Sequence, residues 1–89
     1  MDKSIKFRVS GRVQGVFFRA SAKQEAERLG LQGWIRNCAH GEVEGVASGS
    51  AERLEAFARW LARGPRMARV EKLEVTACEY CACDAFSVR

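Results

Sequence analysis

The sequence predicts an α+β fold of the split βαβ type, β-α-β-β-α-β, with an antiparallel sheet carrying two helices on one face. Three observations predict it. Apolar and polar residues alternate near the start of the chain. A strong helical stripe fills part of the second half, and short strand-like runs bounded by glycine turns lie between and after.

Ile5, Phe7, Val9, Gly11 and Val13 alternate with Lys6, Arg8, Ser10 and Arg12, which reads as a half-buried strand over residues 5–13. Gln14-Gly15-Val16 interrupts it. Phe18, Ala22, Ala26 and Leu29 then recur at helical spacing, with Lys23, Glu25, Glu27 and Arg28 on the other side and Gly30 as the residue just past the helix end. A second strand is expected over residues 32–37, a turn over Cys38-Ala39-His40-Gly41, and a third strand from Glu42 to Ala47. Ser50 can cap the second helix, with Glu52 in its first turn. There Leu54, Phe57, Ala58 and Leu61 form the stripe, and Gly64-Pro65 stops it. Val70, Leu73 and Val75 mark a fourth strand; positions 70 and 73 differ in parity, so a bulge is expected between them. Phe86 and Val88 suit a short final strand. Right-handed crossovers place both helices on one face, the ferredoxin-like arrangement.

The 89 residues fit a single domain, 1–89, and the balance of 47% hydrophobic to 29% charged residues is that of a globular protein. No apolar run approaches the ~20 residues that cross a bilayer, and the charged start Met1–Lys6 is not a signal segment. A cytoplasmic monomer is expected. The net charge of +4 comes from lysines and arginines scattered along the chain, which suits a small anion better than a polynucleotide groove. The four cysteines, Cys38, Cys78, Cys81 and Cys83, are expected as free thiols in that compartment.

Chemistry concentrates in Gly11-Arg-Val-Gln-Gly15-Val-Phe-Phe-Arg19, which joins a strand end to a helix start. Backbone N–H groups are unpaired at such a junction and the helix dipole adds partial positive charge. Gly15 lets the backbone turn tightly and approach a ligand. Arg19 adds a permanently charged donor fork matched to a phosphoryl group. The Walker pattern is absent, so a nucleoside triphosphate is not implied.

Gly11-x-Val13-Gln14-Gly15-Val16-x-Phe18-Arg19 resembles the phosphate-loop signature of the acylphosphatase family. Gly33-Trp34-Ile35-Arg36-Asn37-x3-Gly41-x-Val43-x5-Gly49 is similar to its second signature. Gly64-Pro65 with Ala68-Arg69-Val70, and Phe86-x-Val88, resemble its later stretches, so the likeness covers nearly the whole chain. The resemblance implies hydrolysis of small acyl phosphates to a carboxylate and inorganic phosphate, without metal or organic cofactor. It assigns the phosphoryl group to Arg19 and to the backbone amides of Gly15, Val16, Phe17, Phe18 and Arg19, and the attacking water to Asn37. Phe17 occupies a position that varies in the family and would adjust access for the acyl group. His40 and Arg66 depart from the usual turn residues, which bears on turn geometry rather than on Arg19 or Asn37. A carboxylate leaving group, with a conjugate-acid pKa of about 4, needs no strong general acid, and this chain has one histidine.

Other constellations carry blander readings. His40 reads as a solvated turn residue. Cys83-x5-Arg89 has the spacing of a cysteine phosphatase loop, but Asp84–Val88 holds no glycine and a terminal arginine is expected to be poorly held. Cys78, Cys81 and Cys83, with Cys38, could supply thiolates to zinc, though a third ligand one residue on is unusual; no metal is expected. Trp34 is expected at the core edge and Trp60 partly exposed beside the second helix. Two other functions share this fold class: an RNA-binding module, whose aromatic run this chain lacks, and a non-catalytic phosphate-binding domain.

Overall fold

The alternation at the start of the chain becomes burial. In β1 (Lys3–Arg12) Phe7 and Val9 are buried while Lys6 and Arg8 face solvent. The computed structural model describes residues 2–80 and 83–89. After β1 come α1 (Phe18–Arg28), β2 (Gln32–Asn37), β3 (Val43–Gly49), α2 (Ala51–Arg63), β4 (Arg69–Cys78) and β5 (Phe86–Val88). β1 thus starts two residues earlier than its alternation suggests, because Ser4 pairs with Ser48 rather than projecting free.

The helix ends follow their residues. Gly30, at φ 70°, closes α1: its N–H donates to Glu27 O at 3.0 Å and that of Leu31 to Ala26 O at 2.8 Å, the paired bonds of a Schellman end. At the start of α2 the Ser50 hydroxyl accepts from Arg53 N–H at 3.4 Å, with Glu52 in the first turn. The expected bulge is present: Ser10 pairs with Lys72 but Gly11 pairs with Val70, leaving Glu71 extra on β4. Gly11 is needed there, since a Cβ would lie 2.2 Å from Arg69 O.

The strand order is β4-β1-β3-β2-β5. The first four strands pair antiparallel, but β5 runs parallel to β2, with Gly33 opposite Phe86 and Ile35 opposite Val88. The sheet is therefore mixed, not antiparallel throughout. The cause is the route of the chain: β4 finishes at the end of the sheet where β2 begins, so crossing to the far edge leaves β5 running in the direction of β2.

α1 packs over β2 and β5, and α2 over β4, β1 and β3. Between helices and sheet, Phe57 stands edge-on to Phe7 at 5.7 Å and to Phe86 at 5.8 Å, and Trp60 lies parallel to it at 6.3 Å. Phe57 thus joins β1, β5 and α2. Phe57→Ala should remove about 3–5 kcal/mol of stability by leaving a cavity at this junction, read as a lower urea midpoint at unchanged slope.

Candidate active site

Between β1 and α1 burial alternates residue by residue. Val13, Val16 and Phe18 are buried, whereas Gly15 and Phe17 are exposed and Arg19 is half-buried. The apolar residues pin the loop from beneath, with Phe18 packed 5.5 Å from Trp60. The residues between them turn outward.

The backbone supports this arrangement with two left-handed residues, Gly15 at φ 72° and Phe17 at φ 59°. Nothing lies within 4 Å of where a Gly15 Cβ would stand, so glycine answers the backbone angle and leaves open space above it. Phe17 occupies the N-cap of α1 without a side-chain cap, and no acidic residue lies in the first turn. Among the described residues, the N–H groups of residues 15–19 donate to no protein acceptor. α2 meets the same requirement with Ser50 and Glu52. The α1 terminus therefore keeps uncapped donors, an arrangement with the chemistry of an anion site.

Arg19 extends from the first turn, and its Nη1 donates to the main-chain oxygen of Arg89 at 3.0 Å. Arg89 N–H in turn donates to Ile35 O at 2.8 Å, which ties the guanidinium to β2 two residues before Asn37. Asn37 ends β2 opposite Val43, is exposed, and shares the parity of buried Ile35, so it leaves the sheet on the helix-bearing face. Gln14 completes the junction. Its side-chain amide donates to Cys38 O and to Glu42 O, each at 2.9 Å, on either side of the turn that follows Asn37. Gly15, Phe17, Arg19, Ala20 and Val88 line a cavity of about 320 Å³ at this place. A larger groove of about 440 Å³ lies between α2 and β4, at the other end of β1; Ile5, Leu54, Val75 and Ala77 line it and no arginine does.

The family model described as Acylphosphatase matches residues 5–88. The chain belongs to the acylphosphatase family. It is 58% identical over 69 residues to an acylphosphatase of Pseudomonas paraeruginosa, covering 78% of this chain and 76% of that one. To an acylphosphatase of Nitrosococcus oceani it is 44% identical across the whole of both chains. The structure of an acylphosphatase from Coxiella burnetii superposes with a TM-score of 0.96 at 40% identity, over 99% of this chain and 93% of that one. Like the rest of the family the chain is a hydrolase of acyl phosphates.

Other residues take places in this acylphosphatase that their types did not announce. Trp34 is not at the core edge: it has the parity of Arg36 and lies on the sheet face opposite the helices, between the guanidinium groups of Arg36 at 5.4 Å and Arg89 at 4.8 Å. Arg89 is therefore well held, through its backbone and its side chain. Trp60 is half-buried against Phe18 and Phe57. His40 is exposed in the β2–β3 turn. Cys81 lies outside the described residues; among these, no cluster of three or more potential metal ligands occurs. Cys38 is drawn toward the neutral thiol, since burial, and then its hydrogen bond to Glu44, push its pKa up.

Glu44 is buried on the helix-free face yet fully paired. Its Oε2 accepts from Arg36 Nε at 2.8 Å and its Oε1 from Arg8 Nη2 at 2.9 Å. These bonds, from Arg36 first and Arg8 second, hold its pKa down from 4.5 to about 2. Through Arg36 and Cys38 the carboxylate grips both chain neighbours of Asn37. Because the folded pKa is depressed, the stabilisation is complete above the unfolded value and disappears as pH falls toward 2. Glu44→Gln should therefore lose about 2 kcal/mol of stability at pH 7, with the gap to wild type closing between pH 5 and 2. Urea titrations across that range check it; a gap independent of pH would show that the charge is not its source.

Proposed function

We propose that the loop and the β2 end divide the acylphosphatase reaction between them: Arg19 and the backbone amides of Gly15, Val16, Phe17, Phe18 and Arg19 bind the phosphoryl group, and Asn37 orients the attacking water. The observation that carries this reading is the convergence of an open helix N-terminus with Arg19 at one cavity, clamped by Gln14 to the turn that follows Asn37. Only the backbones of Val16 and Phe18 take part, since their side chains are buried.

Water attacks the phosphorus, the bond to the carboxylate oxygen breaks with its electron pair on the carboxylate, and the water's protons leave with the inorganic phosphate or pass from it to solvent. Negative charge on the phosphoryl oxygens is met by donors already in place, the form of catalysis that costs no reorganisation during reaction. Arg19 spends one N–H on Arg89 and keeps others for the ligand. An asparagine offers both an acceptor and a donor to a water, which suits Asn37 to positioning rather than proton abstraction.

We read the protein as a cytoplasmic monomer of one domain, 1–89, acting on a small-molecule acyl phosphate with no cofactor and no nucleic-acid partner. Free thiols at Cys38 and Cys78 support a reducing compartment. Where an RNA reader would stack bases, the sheet carries the Arg8–Glu44–Arg36 ion pairs, and Trp34 is covered by two arginines.

Arg19→Gln should lower kcat/KM for benzoyl phosphate by at least ~10²–10³ and weaken competitive inhibition by inorganic phosphate. Wild-type turnover in this variant would end the reading. Asn37→Ala should depress kcat strongly while the inhibition constant for phosphate stays nearly the same; a parallel loss of phosphate binding would instead place Asn37 on the phosphoryl group.

A further inference from the structure

Cys78, Cys81 and Cys83 crowd the stretch that carries the chain from β4 to β5, and the reaction uses none of them. Cys81 lies outside the described residues. Cys78 is exposed at the last position of β4, and Cys83 is half-buried shortly before Phe86. The sheet fixes how far apart these two stand. Cys78 pairs with Ser4, Ser4 with Ser48, and Ser48 with Gln32, so the four form one row across β4, β1, β3 and β2. Ala85 continues that row on the far edge: Phe86 is opposite Gly33, and the Gly33 N–H donates to Ala85 O at 3.0 Å. Four strand spacings therefore separate Cys78 from Ala85, about 19 Å.

Cys83 is two residue steps from Ala85, at most about 7 Å. Its Cα thus stands about 12 Å or more from that of Cys78, beyond the ~7 Å that a disulfide can bridge. The converse also holds. A Cys78–Cys83 bridge would leave Ala85 within about 14 Å of Cys78, whatever course the residues between them take. That falls short of the far edge, so a bridged pair and a paired β5 exclude each other. β5 is the element able to give way. It has three residues and one neighbouring strand, whereas β4 pairs with β1 along nearly its whole length. Much of the site travels with it: Val88 lines the cavity, and Arg89 joins Arg19 to Ile35.

We propose that Cys78 and Cys83 form an oxidation site for low-molecular-weight disulfides, and that the bridge between them expels β5 from the sheet and releases Arg19 from its tie to β2. The exposed Cys78 thiolate attacks the small disulfide and expels one small thiolate. When β5 leaves the sheet, the Cys83 thiolate attacks the Cys78 sulfur of the mixed disulfide and expels the second. Two protein thiols are oxidised, and the small disulfide is reduced to two thiols, which take up the two protons. An excess of small thiol reverses both steps. The loss of activity rests on the role given to Arg19 in the preceding subsection; the loss of β5 does not.

The test treats the full chain with oxidised glutathione and follows the disulfide by peptide mapping, the Gly33 amide by hydrogen exchange, and turnover of benzoyl phosphate. Wild type and Cys81→Ser should both acquire a Cys78–Cys83 bridge and lose protection at the Gly33 amide, whose acceptor is Ala85 O. In both, kcat/KM should fall by about tenfold or more, and dithiothreitol should restore all three readouts. Cys78→Ser and Cys83→Ser should keep a protected Gly33 amide and full turnover under the same treatment. A Cys78–Cys83 bridge with the Gly33 amide still protected would overturn the proposal. So would the absence of that bridge, a link from Cys78 to Cys81 or to a second chain in its place, or equal inactivation of Cys83→Ser. If bridging opens the Gly33 amide while turnover holds, the oxidation site stands and the role given to Arg19 falls.

Discussion

One side-chain amide holds the two halves of the site together. Gln14 donates to Cys38 O and Glu42 O, residues 24 and 28 positions away. Those two residues are bonded to each other by Cys38 N–H to Glu42 O at 2.7 Å, so Gln14 grips the neck of the β2–β3 turn from the side. Gly15 follows Gln14 directly and Asn37 precedes Cys38 directly. A single planar group therefore ties the backbone proposed to receive the phosphoryl group to the side chain proposed to receive the water. In-line attack is sensitive to their separation at the level of an ångström. The second tie between them is the bridge from Arg19 through Arg89 to Ile35 of β2.

The two faces of the sheet share the remaining constraints. On the helix-bearing face the aromatic cluster fixes α1 and α2, and Phe18 carries that rigidity into the first residue of α1. On the opposite face Glu44 draws Arg36 and Arg8 together across β2, β3 and β1. Asn37 stands between Arg36 and Cys38, both bonded to this carboxylate, so its backbone is held from one face while its side chain serves the other. Phe17 takes its left-handed angle between Val16 and Phe18, which are buried on either side of it.

Much of this could be read from the residues. Strict alternation, a capped amphipathic helix and glycines at turns are local signals, and they located β1, α2 and the bulge in β4. The loop was legible for the same reason, because Gly15 and Arg19 state their chemistry within a few positions. What escaped detection was non-local or too short to be periodic. A strand of three residues has no period, and nothing in Phe86–Val88 says that it runs parallel to β2. Trp34 looked like core by residue type, yet its parity with Arg36 places it on the other face, and parity was the signal that could have shown it. Gln14 was visible only as a letter of a motif. Its partners are backbone carbonyls, which every residue has, so no side-chain pattern could point to them. Arg89 was misjudged because the end of a chain is mobile unless tied, and the ties come from Ile35, Arg19 and Trp34.

The economy of the site has a consequence for how acidity reaches it. Arg19 brings a guanidinium and Asn37 a neutral amide, and neither is a carboxylate. The carboxylate tied most closely to the geometry is Glu44, which touches no substrate but holds Asn37 in its place through Arg36 and Cys38. Its two guanidinium partners keep it ionised down to about pH 2. The arrangement thus places an ionised carboxylate in a structural ion pair, where two guanidinium groups hold its pKa down. For a reaction whose leaving group is already a weak base, donors held in place answer the main demand, since no strong general acid is needed for the carboxylate.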